Sequence, residues 1–488
     1  MAAEHKVLSF IPYLQSPPTQ GGTGRTAVPN DKTKKHSDTP TAANTDDTSR
    51  TLSTTAETDS TSDPYGPRKW HSNLIKLSGK DRAINEFSVE RLNEPTDHTF
   101  VMLHGYGAGL GFFYKNFEPL SRRPGWRLYA LDLMGMGRSS RPPFRIHSKD
   151  KEGKIREAEN WFVDSLEEWR KEKKIERFTL LGHSLGGYMA VCYALKYPGR
   201  LEKLILASPV GIPEDPYAVR EPLPDGDDSA TSASNANAND ADGNNFLNAK
   251  AKAANTTSNE PPKRPYSKWF TWLWDQNVSV FSFVRWSGPL GPRLVSGWTS
   301  RRFGQLPPEE ASALHDYSYS LFRQRGSGEY VLSYVLAPGA YARLPLIRRI
   351  GALGRGEYRP SDIGPKTAEI EGAEKVRENG VPVVFMYGSH DWMDVKGGKA
   401  GVEKLKEAKR KAEQDARRNA EQSASGMTTG VATKPDQSDA KVLIVDKAGH
   451  HLYLDGYAEF NEMMLEEMKD TERRQKELNT VLKGEKAV

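Results

Sequence analysis

The sequence predicts an α/β protein: a mostly parallel central sheet with helices on both faces and a helical lid insertion above it. Three observations support that expectation. Short apolar runs recur along the chain, continuous rather than alternating, as in strands covered on both faces. Segments with helical periodicity separate them. One long interruption is rich in tryptophan and has no strand pattern.

Taken in order, residues 74–92 read as strands joined by a polar turn. The run TFVML at 99–103 is a strand ending at His104-Gly105, and WRLYAL at 126–131 is one ending at Asp132. Between 158 and 173, Trp161, Phe162, Leu166 and Trp169 recur near one face, which predicts a helix. Strands follow at 178–182 and 201–208, and after the interruption at 381–388 and 441–446. The interruption holds Trp269, Phe270, Trp272, Trp274, Phe281, Phe283, Trp286 and Trp298, with arginines in excess of acids.

Hydrophobic residues make up only 36% of the 488, which polar segments explain by diluting an ordinary core. Residues 1–69 are expected to be a disordered N-terminal segment and 214–263 a disordered insertion, because neither can bury enough apolar surface to offset its ordering entropy. The core then falls into two parts, 70–213 and 376–488. A helical lid at 264–375 lies between them in sequence, and a polar insertion at 396–440 reads as a charged, solvated helix followed by a loop.

The single cysteine, Cys192, excludes an internal disulfide and a Cys-rich zinc site, and points to a reducing compartment. No cofactor or metal is expected. No run of 18 apolar residues exists to span a bilayer, and the N-terminus has no apolar signal core, so the expectation is an intracellular, unsecreted protein. A net charge of +5 without a basic-aromatic pattern gives no argument for nucleic acid.

The chemistry centres on LLGHSLGGYMA at 180–190. A nucleophilic serine must stand exposed on a tight turn, near a base and near donors that stabilise an oxyanion. Gly-x-Ser-x-Gly supplies the turn when a strand precedes it and a helix follows, as at Ser184. A chance glycine-rich turn around an inert serine is the blander reading, and the strand-turn-helix context argues against it.

With these residues in place the chain resembles the α/β-hydrolase superfamily, in which a catalytic acid and then a histidine follow the serine. That resemblance implies Asp391, in MYGSHDWMD, as the acid, with Asp394 the weaker choice. It implies His450, in DKAGHHLYLD, as the base, with His451 as a packing neighbour. The backbone amides of Leu185 and Tyr106 would form the oxyanion hole. LHGYGAGLGFF, YALDLMGMGRSSRP, GPLGPRLV and AGHHLYLDGYAEFNEMM together resemble a narrower, phospholipid-acting group. That group includes N-acyl-phospholipid lipases and a fungal mitochondrial cardiolipin-specific deacylase.

The narrower resemblance implies a serine hydrolase that removes an acyl chain from membrane phospholipid, cardiolipin above all, on the mitochondrial inner membrane. The group's His-x-x-x-x-Asp motif, here His450 to Asp455, has also been read as an acyltransferase signature for lysophosphatidic acid. One histidine does not easily serve both roles, so Asp455 is expected to brace the site instead. The aromatic and arginine-rich insertion suits an anionic membrane surface, although packing onto the sheet would also account for its tryptophans. A non-catalytic lipid-binding regulator is the remaining alternative; a soluble-ester hydrolase fits the insertion poorly.

Overall fold

The computed structural model describes residues 2–14, 53–57, 63–216, 266–363, 374–424 and 436–485. Its central sheet comprises β1 (Ser53–Glu57), β2 (Arg68–Lys76), β3 (Ala83–Arg91), β4 (His98–Leu103), β5 (Trp126–Leu131), β6 (Phe178–His183), β7 (Leu201–Ala207), β8 (Pro382–Gly388) and β9 (Asp439–Val445). The spatial order is β1-β2-β3-β5-β4-β6-β7-β8-β9. From β5 to β9 every pairing is parallel, and β1 to β3 add an antiparallel edge. The connection between β2 and β3 is short, which permits a hairpin but no crossover.

Side chains on successive strand residues enter opposite layers. Val101, Leu103, Leu180, Leu204, Leu206 and Phe385 pack into one hydrophobic cluster. Phe100, Met102, Leu181, Ile205, Val384 and Met386 pack into the other. This two-sided burial is why the strands read as unbroken apolar runs. Helices α3 (Lys151–Glu172) and α4 (Leu185–Lys196) bury Phe162, Leu166, Trp169, Tyr188 and Val191 in the first cluster. Helix α2 (Tyr114–Ser121) and the C-terminal helix (Tyr457–Glu485) bury Phe117, Phe460, Met464 and Met468 in the second.

The insertion forms α5 (Lys268–Asp275), α6 (Val280–Trp286), α7 (Gly291–Phe303) and α8 (Pro308–Phe322), followed by shorter pieces. The expected polar helix spans Val395–Ala424. Of the described helices, none is long and apolar enough to cross a membrane.

Within the expected disordered stretch 1–69 the structure departs from the sequence reading. Helix α1 (Ala2–Leu8) buries Val7 and Leu8, and Ile11 is buried just beyond it. They join the cluster that also holds Leu110, Phe113, Leu314 and Tyr317. A partner surface supplied from far along the chain stabilises a helix too short to persist alone. β1, made of the polar run STTAE, pairs with β2 through its backbone. Residues 63–69 are described too, with Asp63 and Arg68 buried; the remaining parts of that segment, chiefly 15–52 and 58–62, and nearly all of the expected insertion 214–263 lie outside the described residues.

Candidate active site

The candidate residues gather where the parallel strands end, the usual place for a site in an open α/β sheet. Ser184 follows β6 with φ 54° and ψ −115°, left-handed backbone for a residue with a side chain. Small neighbours permit the turn. A Cβ on Gly182 would lie 2.3 Å from the carbonyl oxygen of Gly186, and one on Gly186 would lie 2.6 Å from that of His104. The Ser184 amide donates to the carbonyl of Ala207 on β7 at 3.0 Å, pinning the turn to the next strand.

Asp391 and His450 come from the loops after β8 and β9. Nδ1 of His450 lies 3.2 Å from Oδ1 of Asp391. Oδ1 also accepts from the Met393 amide at 3.0 Å, and Oδ2 accepts from the Ser208 hydroxyl. Burial pushes the Asp391 carboxyl upward, but hydrogen bonds and the charge of His450, with Ser208 and Met393, hold it below its ordinary value. The acid is therefore ionised while shielded from solvent. Trp392 packs against the His450 ring with centroids 4.7 Å apart.

His183, beside the serine, ties the elements together. Its Nε2 donates to the His450 carbonyl at 2.9 Å, and the two rings are 4.8 Å apart. Burial, then the neighbouring His450, push His183 well below the ordinary histidine range, so it is neutral.

The loop after β4 approaches the serine closely. A Cβ on Gly105 would lie 2.9 Å from His183 Nδ1 and 3.0 Å from Ser184 Cβ. His104 holds that loop from within. Its Nδ1 donates to the Gly105 carbonyl at 2.8 Å, and its Nε2 accepts from the Leu133 amide at 3.0 Å. Burial pushes its pKa down to about 4. Asp132 braces the loop's far end, accepting from the Leu110 amide at 2.8 Å. The amides of Tyr106 and Leu185 donate to no other described residue. Both are backbone donors left over for a ligand.

The Tyr106 ring stacks on Phe281 of α6 at 5.1 Å, and Phe281 stacks on Phe322 of α8 at 4.5 Å. The lid thus rests directly on the loop carrying the Tyr106 amide. An apolar groove leads outward from Tyr106 between Leu273, Val278 and Phe283.

Asp455 does not pair with His450. Its Oδ2 accepts from the Gly449 amide at 3.1 Å and its Oδ1 accepts from Gln305 at 2.8 Å. It holds the loop that presents His450. Asp394 accepts from the Lys396 amide at 3.0 Å, at the start of the following helix. Sequence reasoning overlooked Ser208, His183, His104 and Trp392. Only His104, directly after a strand and before glycine, carried a local signal. Among the described residues, no group of three or more His, Cys, Asp or Glu side chains is placed to hold a metal.

Known proteins are similar to this chain in sequence. The 1-acylglycerol-3-phosphate O-acyltransferase of Arabidopsis thaliana is 33% identical over 67% of this chain and 63% of its own length. A probable enzyme of the same name from Oryza sativa subsp. japonica is 32% identical, with 64% of its length covered. The chain thus spans a little under two thirds of these plant relatives. The (lyso)-N-acylphosphatidylethanolamine lipase of Homo sapiens is 31% identical over 63% of this chain and 69% of the relative. The family described as alpha/beta hydrolase fold matches residues 98–420. On this match, and on the sheet and turn described above, the chain belongs to the α/β-hydrolase fold family.

Proposed function

We propose that this chain is a serine hydrolase that removes an acyl chain from membrane phospholipid, with Ser184 as nucleophile, His450 as base and Asp391 as its acid. The observation behind it is the strained serine turn beneath the lid, with a buried Asp391–His450 pair beside it. Asp391 holds Nδ1 of His450, leaving Nε2 to take the Ser184 proton as Oγ attacks the ester carbonyl. The amides of Leu185 and Tyr106 receive the resulting oxyanion. Collapse releases the lysolipid hydroxyl, protonated by His450, and water then clears the acyl-enzyme.

In this reading the core parts 70–213 and 376–488 carry the chemistry, and the lid 264–375 docks on an anionic bilayer. The names of the relatives support a phospholipid class of substrate. Within that class we place cardiolipin at the mitochondrial inner membrane, on the motif resemblance alone. The second reading is acyl transfer to lysophosphatidic acid, which the plant relatives' names favour. It needs only an acceptor hydroxyl in place of water, whereas a direct role for Asp455 conflicts with its engagement by Gly449 and Gln305.

The test uses the purified chain with cardiolipin vesicles, and separately with lysophosphatidate and acyl-CoA. Ser184→Ala should lower release of fatty acid by about 10³-fold or more. Release unchanged in that variant would end the hydrolase reading. Acyl transfer from acyl-CoA to lysophosphatidate that outruns fatty-acid release, and is lost with it in Ser184→Ala, would install the second.

A further inference from the structure

Arg302 stands on the last turn of α7, beside the loop that carries His450, and its charge is poorly matched. Its Nε and Nη2 are shut off from solvent, and neither has a hydrogen-bond partner among the described residues. Its ion-pair neighbour is Asp455, with Oδ2 3.9 Å from Nη2. That separation is beyond a hydrogen bond. Both oxygens of that carboxylate already accept, from Gln305 and from Gly449. Burial pulls the guanidinium below the ordinary arginine range, and Asp455, Tyr453 and Asp391 offset only part of this.

Two neighbours share this condition. The Tyr453 hydroxyl and Nδ1 of His451 are buried without a hydrogen-bond partner among the described residues. Their rings lie 5.8 Å apart, and each lies within 5 Å of the His183 ring, next to Ser184. Buried polar groups left unpaired are costly. A guanidinium with its donors unspent is matched in charge and shape by two oxygens of a phosphate. The Arg302 side chain keeps 20% exposure, although these two nitrogens and the Tyr453 hydroxyl do not share it.

We propose that Arg302, with the Tyr453 hydroxyl, receives the phosphate of a glycerophospholipid and so positions the neighbouring acyl ester at Ser184. This rests on the phospholipid reading above. Arg302 is a substrate-binding residue here, and the lid contributes to headgroup selection as well as covering the site.

The test separates this inference from the nucleophile assignment by using a ligand that is not turned over. An ether-linked lysophosphatidate is titrated calorimetrically into S184A and into S184A/R302M. The second variant should bind about tenfold more weakly or worse, while an uncharged ether-linked alkylglycerol of equal chain length binds both alike. Equal lysophosphatidate affinities would overturn the proposal, as would an equal loss for both ligands. R302M should melt no lower than its parent, since it removes an uncompensated buried charge; a clearly lower melting temperature would make Arg302 a structural residue. Inorganic phosphate should fail to compete at matching concentration. Competition as effective as the lipid's would reassign the site to free phosphate and overturn the headgroup assignment. Should S184A retain full esterase activity while R302M still weakens binding, the hydrolase reading falls and the phosphate site stands.

Discussion

At the scale of single residues, the site depends on histidines kept neutral by burial. His104 lies wholly inside the protein, and its ring must be unprotonated to accept from the Leu133 amide. Its pKa falls from 6.5 to about 4 on folding. The sign follows directly. Between those values the unfolded chain binds a proton that the folded chain refuses, so stability falls as pH falls through this window. The loss from His104 should be on the order of 3 kcal/mol by pH 4. Urea denaturation at pH 7, 5.5 and 4 should show it, and His104→Gln should flatten the slope by that amount. An identical slope in the variant would assign the acid sensitivity to other groups, of which buried His183 is the first to test. Gly182, Ser184 and Gly186 were legible as a turn because their geometry is local. Ser208, which donates to Asp391 from the end of β7, was not, because nothing in its own neighbourhood points to residue 391.

At the scale of elements, the lid is held from two sides. On one side Phe281 of α6 bridges the rings of Tyr106 and Phe322. On the other, α1 packs against α8, with Lys6 3.0 Å from Asp316. Glu4 of α1 is buried and accepts from Arg138 at 2.6 Å, and Arg138 lies just beyond the Asp132 loop. Burial, then the nearby Asp132, push the Glu4 carboxyl upward, while Arg138 and Asn85 oppose them. Leu8→Ala removes a fully buried side chain from this junction and should cost about 2–5 kcal/mol in chemical denaturation. A change below about 0.5 kcal/mol would show that α1 detaches in solution. The parallel core strands were readable because each holds a short, unbroken apolar run. α1 and β1 were not: α1 has only seven residues, and the run STTAE of β1 is polar.

At the scale of the whole molecule, the lid turns part of its aromatic set outward. Trp269, Trp272 and Trp286 are 59%, 60% and 74% exposed, with Phe283, Leu290 and Leu294 exposed beside them. Exposed large apolar side chains gathered on one inserted element mark an interaction site, and indole rings favour the bilayer interface. The groove lined by Tyr106 is also lined by Trp269 and Phe283, so this face adjoins the loop after β4. Replacing Trp269, Trp272 and Trp286 with alanine should lower partitioning onto anionic vesicles by about tenfold or more. Melting temperature and turnover of a soluble short-chain ester should stay unchanged. Unaltered partitioning would remove the lid from membrane binding.

The sequence by itself determined the core strands and the serine turn, and through its family resemblance pointed to Asp391 and His450. Each rests on a short pattern whose meaning lies in the neighbouring few residues: burial on both faces, a glycine where a Cβ cannot fit, a polar residue directly after a strand. The tertiary structure alone decided which residues support them. Asp455 turned out to brace Gly449 and Gln305 rather than face His450, and Arg302 to be buried with unspent donors. It also decided which aromatics pack and which face outward. Those outcomes depend in part on surfaces supplied from distant parts of the chain, as Gln305 is for Asp455 and Tyr106 for Phe281, and pairing and burial at such a distance leave no local pattern to read.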